Sequence, residues 1–382
     1  MNDLPQIFND FSDSRKQGFI TIKNLKDEGK KVVGTFCTFT PWEIINASGA
    51  LAVSLCSKSD ETIEDAEKHL PRNLCPLIKS SYGFAMTDKC PYFYFSDLIV
   101  GETTCDGKKK MYEYLGEFKN IHVMHLPQKP DDADSYKLWK DELIKLKEKL
   151  EKEFNIIITD EKLRNSIKLR NKERKALKEF YELGKMCPPP MTGIELLKVL
   201  NGSSFKWDEE TLINDLHKTV MQIKNAYDKG ERKLSQDAKR ILITGCPMGE
   251  ATEKIVHAIE DNGGVVVCYE DCTGVKEISK LVDETKDPMD ALTEKYLKIG
   301  CACMTPNNNR TNLLSELIDD YKIDGVVDVI LQSCHPYSVE SYGIKKFVNE
   351  EKKVPYMAIE TDYSKTDVGQ IKTRIAAFIE ML

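Results

Sequence analysis

Twelve cysteines lie in a chain of 382 residues, and their positions are more informative than their number. Cys37, Cys56, Cys105, Cys246, Cys272 and Cys334 each fall at the end of an apolar, β-rich run or in the loop that follows. Ligands of open α/β sheets bind outside the carboxyl ends of the strands, so thiols in those loops converge where a bound group would sit. Cys268, at the end of Val265-Val266-Val267, reads as a core thiol, and Cys187 beside Pro188-Pro189-Pro190 has no ligand-like neighbour. Cys56 and Cys90 read as packing thiols near the site. No Cys-x-x-Cys pair occurs, and Cys301-Ala302-Cys303 is the one close pair. Zinc-ribbon and ferredoxin spacings are therefore absent. Dispersed thiolates gathered by folding suit an iron–sulfur cluster.

Local context adds to this. Cys75 precedes Pro76, which removes a backbone donor and stiffens the loop. Cys105 leads into Asp106-Gly107-Lys108-Lys109-Lys110 at a helix start, where the helix dipole and nearby cations favour a thiolate. Cys334 stands in Ser333-Cys334-His335-Pro336 between a strand and a helix.

The elements that must position these residues alternate. Strands are expected at 31–36, 51–55, 97–100 and 121–124, with helices opening at Pro41-Trp42-Glu43 and Asp106. From 130 to 235 Lys and Glu are dense, and apolar residues such as Leu143, Leu146 and Leu150 recur at helical spacing. The alternation returns at 241–244, 265–267, 326–331 and 354–359, before a closing helix. The fold class is α/β: two Rossmann-like domains with parallel sheets flank a cluster cleft, with an intervening helical segment. The expected boundaries are 1–130, with a helical lead-in over 1–30, then 131–235 and 236–382.

Composition sets limits. Net charge is −7, with no basic stripe that would ask for nucleic acid. No apolar run approaches the roughly 20 residues of a membrane span. Met1-Asn2-Asp3-Leu4-Pro5 has no basic start or apolar stretch of a signal peptide, so a cytoplasmic chain is expected. A reducing cytosol disfavours a disulfide framework. Gly245-Cys246-Pro247-Met248-Gly249 is not a dinucleotide fingerprint, and no Walker loop occurs.

Gly34-Thr35-Phe36-Cys37-Thr38-Phe39-Thr40-Pro41-Trp42-Glu43, Leu74-Cys75-Pro76 and Glu102-Thr103-Thr104-Cys105-Asp106-Gly107-Lys108-Lys109-Lys110 resemble motifs of the 2-hydroxyacyl-CoA dehydratase / benzoyl-CoA reductase family. Asp324-Gly325-Val326-Val327 before Cys334, and Glu360-Thr361-Asp362-Tyr363 through Phe378, resemble its second domain. The resemblance implies Cys75, Cys105 and Cys334 as ligands of a [4Fe-4S] cubane, fed by an ATP-hydrolysing activator with its own cluster. It is nearest the double-cubane branch, whose [8Fe-9S] centre needs about six thiolates. Cys37, Cys272 and Cys303 are the expected additional ligands, with Cys246 and Cys301 in reserve. The implied protein is a low-potential oxidoreductase component acting on a small molecule, expected as a homodimer. The alternative is a 2-hydroxyacyl-CoA dehydratase subunit with a single [4Fe-4S] cluster and an unlike partner. Lys108-Lys109-Lys110 is a candidate docking face for the activator.

Overall fold

The computed structural model describes residues 17–246 and 249–382. The expected lead-in is helical over residues 17–27, and its earlier part lies outside the described residues. Among the described residues eight strands form from the short apolar runs: β1 Val32–Thr35, β2 Leu51–Ser54, β3 Leu98–Glu102, β4 Ile121–Met124, β5 Lys239–Gly245, β6 Gly264–Glu270, β7 Gly325–Leu331 and β8 Tyr356–Thr361. They build two four-stranded sheets, β2-β1-β3-β4 and β6-β5-β7-β8. Every pairing is parallel. β6 and β7 are buried along their whole length, as expected when helices cover both faces.

In each sheet the chain moves outward from the first strand, then crosses back to its other side. The order reverses between β1 and β3, and again between β5 and β7. Those reversals are the topological switch points at which doubly wound sheets open a ligand crevice.

Two compact units result: one comprises 17–174 and 280–310, the other 175–279 and 311–382. Lys280–Arg310, expected within a C-terminal domain of 236–382, thus packs with the first sheet. The physical reason is a shared core. Val282, Leu292, Tyr296 and Met304 are buried in the same cluster as Val33, Phe39 and Ile44. Asn171 ties the segment by its backbone, donating to the Val282 carbonyl at 2.8 Å and accepting from the Val282 N–H at 3.0 Å.

The charge-rich middle forms helices Ala133–Phe154, Asp160–Glu182, Gly193–Ser203 and Glu209–Asp228. Trp139, Leu143, Leu146 and Leu150 make one buried stripe on the first of these. Asp132 caps its start through the Asp134 N–H, and Asn155 ends it in the left-handed region. Gly193–Ser203 opens with a reciprocal capping box between Thr192 and Glu195. In the second unit the Arg240 guanidinium donates to the carbonyls of Tyr321, Met186 and Gly184, fixing the turn before that helix to the sheet.

Candidate functional site: thiols at the carboxyl ends of two parallel sheets

In the unit built on β1–β4, Cys37 follows β1, Cys56 follows β2 and Cys105 follows β3. Cys37 and Cys105 therefore flank the switch point. Cys105 caps helix Asp106–Leu115 and Cys75 caps helix Pro76–Met86, whose first residue is the proline that the Cys-Pro step supplies. Cys301 and Cys303 sit in a turn closed by a hydrogen bond from the Met304 N–H to the Cys301 carbonyl at 2.9 Å, and they pack against the core that holds Cys37. That turn is tied to the chain after β4 by Thr305 N–H to Gln128 O, 2.7 Å.

These thiols influence one another. The Cys303 thiol lies well above its ordinary range, first because it hydrogen-bonds Cys301, then through burial and the nearness of Cys37 and Cys105. Cys105 is raised by burial, against the Lys108 N–H and charge, and further raised by Cys75 and Cys301. The ionisation of Cys105 is thus opposed by Cys75 and Cys301, and that of Cys303 by Cys301, Cys37 and Cys105. A bound iron group relieves that opposition, because it takes thiolates as ligands and supplies the positive charge that stabilises them. The donor set fits an iron–sulfur group on those grounds. Among the described residues, no cluster of three or more His, Cys, Asp or Glu side chains is set for a single metal ion.

The walls are aromatic and charged. Phe36 packs on Phe93 and Tyr112 with ring centroids 5.7 and 5.3 Å apart. Gly101 of β3 makes room for the Tyr112 ring, since a Cβ there would come within 2.6 Å of it. Glu102, the last residue of β3, is fully buried and accepts a short hydrogen bond from Thr40. Burial pushes its carboxyl up to about 7, against the Thr40 bond and the Lys108 charge. Glu102 Oε2 and Tyr112 Oη are buried without a hydrogen-bond partner among the described residues. Of the three consecutive lysines, only Lys109 and Lys110 face solvent, paired to Asp106 and Glu113. Lys108 turns inward and donates to the Phe36 carbonyl at 3.3 Å.

The other unit repeats the plan. Cys246 follows β5, Cys272 follows β6 and Cys334 follows β7. Cys246 and Cys334 flank this switch point. Cys246 Sγ accepts from the Leu331 N–H at 3.4 Å, and Cys334 caps helix His335–Lys346. Gly245 holds φ +123° against the Val329 carbonyl, a place no side chain can occupy. Glu270, ending β6, accepts a short bond from Thr244 and pairs with the fully buried Lys276 at 3.1 Å. Lys276 also donates to Tyr337 Oη at 2.8 Å. Of the six residues expected to bind the cluster, Cys37, Cys75, Cys105 and Cys303 are thus brought together in one unit. Cys272 and Cys334 belong to the other, where Cys246 contacts the strand that leads to Cys334. Cys268 is fully buried within β6, where desolvation raises its thiol, and Cys187 is exposed. None of the twelve cysteines forms a disulfide.

Two doubly wound parallel sheets, each with a cysteine on either side of its switch point, define a duplicated α/β protein with a thiol-lined site. The chain belongs to the 2-hydroxyglutaryl-CoA dehydratase D-component family, whose model matches residues 37–382. It is 56% identical, over all of this chain and 99% of the relative, to a protein of Escherichia coli (strain K12) provisionally named dehydratase subunit YjiM. It is 24% identical over the full length of both chains to the (R)-phenyllactyl-CoA dehydratase beta subunit of Clostridium sporogenes. It is 21% identical to a benzoyl-CoA reductase subunit of Thauera aromatica, over 93% of this chain and 92% of that one. The relatives named are thus dehydratase and reductase subunits. No helix among the described residues is long and apolar enough to cross a membrane.

Proposed function

We propose that this chain is the iron–sulfur component of an ATP-dependent, low-potential reductase. In this reading Cys75, Cys105 and Cys334 are ligands of one cubane, and Cys37, Cys272 and Cys303 serve a second, giving an [8Fe-9S] double cubane. The observation that carries the reading is the surplus of thiols. Cys105 and Cys303 feel Cys37, Cys75 and Cys301 in the first unit, and three more cysteines follow adjacent strands of the second sheet, where a single cubane uses three ligands. When bound, the cluster supplies single low-potential electrons. The chain's own residues do the rest. Phe36, Phe93 and Tyr112 keep water from the thiols of the first unit, and that burial and its hydrogen bonds tune the potential. Glu102 holds a proton on its buried carboxyl near neutral pH beside Thr40. The ATPase is a separate activator protein, and the reductase acts on a small molecule.

The names of the relatives favour a second reading, a 2-hydroxyacyl-CoA dehydratase subunit with one [4Fe-4S] cluster and an unlike partner. A turnover assay separates the two. The chain is incubated with an iron–sulfur ATPase of the activator type and either ATP or a non-hydrolysable analogue, with small test substrates. Reduction that requires ATP hydrolysis supports the reductase. Equal rates without ATP refute gated electron delivery, and conversion of a 2-hydroxyacyl-CoA to the enoyl product establishes the dehydratase instead.

A further inference from the structure

In the second unit the loop after β6 carries Cys272 and the helix start after β7 carries Cys334, and each segment is shaped locally. The Asp271 carboxylate accepts from the backbone N–H groups of Thr273 and Gly274 at 2.8 and 2.7 Å, closing the turn around Cys272. Gly274 backs onto the Tyr269 carbonyl, where an added Cβ would clash. Ser333, directly before Cys334, holds φ +59° in the left-handed region. A serine persists there only where its surroundings fix it. The Cys334 N–H donates to the Leu331 carbonyl, and the Cys334 carbonyl accepts from the Ser338 N–H, both at 2.9 Å. None of these bonds runs from one segment to the other.

Lys276 supplies a bond that does. It stands four residues after Cys272, and its side chain is fully buried. Its ammonium is 3.1 Å from the carboxylate of Glu270, which ends β6, and donates to Tyr337 Oη at 2.8 Å. Tyr337 is buried, three residues after Cys334, in the first turn of the helix that Cys334 caps. The ammonium also lies 5.1 Å from the centre of the Tyr337 ring. Thr244, on the neighbouring β5, donates to the Glu270 carboxylate. A line of polar contacts thus runs from β5 through the end of β6 and the Cys272 loop to the Cys334 helix. A buried ion pair adds little net stability over apolar packing of the same volume. What this one gives is a fixed distance and direction between the segments it joins.

We infer that Lys276 is the positioning residue for the second unit's thiols: it locks the Cys272 loop to the helix start at Cys334 and so sets where the two sulfurs stand. The consequence for a bound group rests on the proposed iron–sulfur reading, whereas the locking of the two segments does not. Lys276 acts through those segments and is not itself a ligand.

The test uses the full-length chain and three variants. Tyr337→Phe removes the hydroxyl that accepts from Lys276 and keeps both the ring and the Lys276–Glu270 pair. Lys276→Met combined with Glu270→Gln removes the strut without stranding a buried charge. Tyr342→Phe, at an exposed position on the same helix, is the control. With iron removed, amide hydrogen exchange is read on peptides covering 270–276 and 332–338. Tyr337→Phe and the double variant are expected to speed exchange in both segments together by about tenfold, the order expected when one hydrogen bond to a charged group is lost. Tyr342→Phe, and peptides from β1–β4 in every variant, should keep the parent rate. On the iron-loaded chain, iron release to a chelator is expected to quicken about tenfold, as for other residues that orient ligands. The electron paramagnetic resonance spectrum of the reduced chain should change with it, a readout that a merely structural residue would not move. If Tyr337→Phe does not fold, the double variant decides. Exchange at the parent rate in either segment of a folded variant overturns the inference whatever the iron content. Faster exchange with iron release and spectrum unchanged overturns the positioning role and leaves the proposed function standing. A chain that never holds iron sinks the proposed function, while the exchange arm still decides whether Lys276 locks the two segments.

Discussion

Breaking the Glu43–Arg174 pair should both destabilise the first unit and loosen its thiol turn. Glu43 follows the β1 loop that carries Cys37. Its carboxylate, fully buried, accepts from Arg174 at 2.7 Å and from Tyr296 Oη at 2.7 Å. Tyr296 lies on the segment that leads to Cys301 and Cys303, so the pair joins both sides of the thiol site. Removing one member of a buried ion pair leaves an uncompensated charge, which costs about 3–5 kcal/mol. Arg174→Met should lose that much, and Glu43→Gln, which removes the carboxylate charge facing the guanidinium, should lose a similar amount. The double variant removes both charges and lets the amide accept from Tyr296. Its loss should fall short of the sum of the singles by about 2–3 kcal/mol. Urea unfolding followed by far-UV circular dichroism gives the four stabilities, and iron analysis of the same samples reports the thiol turn. Iron should fall more in either single variant than in the double. Stabilities that add within about 0.5 kcal/mol would refute the argument, since independent sites behave that way.

Cys75→Ser, Cys105→Ser and Cys334→Ser should each lose iron and colour, because a serine oxygen is a poorer iron ligand than thiolate, whereas Cys187→Ser, changed at an exposed position, should keep both. Glu102 gives a pH prediction: a carboxyl raised to about 7 in the folded chain binds its proton more tightly there than unfolded, so stability is greatest below the ordinary glutamate range and declines as pH rises towards 7. The decline attributable to Glu102 is about 3 kcal/mol, and Glu102→Gln should remove it from the difference between urea midpoints at pH 5 and pH 8. Gly245→Ala should destabilise the second unit by more than about 2 kcal/mol, because the new Cβ would meet the Val329 carbonyl at a φ that disfavours side chains; calorimetry reads the shift. Light scattering of anaerobic protein should show a homodimer, and obligate copurification with an unlike family member would count against it.

All eight strands of the described residues were legible because each is a short apolar run between helical segments, whereas their order within each sheet was not, since crossovers such as 55–97 and 271–324 leave it open. The placement of Lys280–Arg310 was not legible. It depends on the Asn171 bonds to Val282 and on Tyr296 reaching Glu43, matches between residues more than a hundred positions apart that no periodicity records. Lys108 belongs to the basic run offered as a docking face, yet the sequence carries a signal that it turns inward. Lys108, Met111, Tyr112 and Leu115 share the i, i+3, i+4, i+7 face that the helix buries, so the first lysine of the run belongs with the core. Glu102 carried a weaker signal, an acid closing an apolar strand just before a cysteine. Cys246 stays in reserve in the sequence because the family motifs do not settle which further thiols are ligands. Only the sheet order shows that it stands across a switch point from Cys334.

Iron and sulfide in the amount of a double cubane are what these cysteines are proposed to hold. Chain purified without oxygen should contain about eight irons and nine acid-labile sulfides per polypeptide, with both falling in the Cys105→Ser variant. About four of each would replace the double cubane with the single-cluster dehydratase reading, and a folded chain that binds no iron under reconstitution would contradict the account.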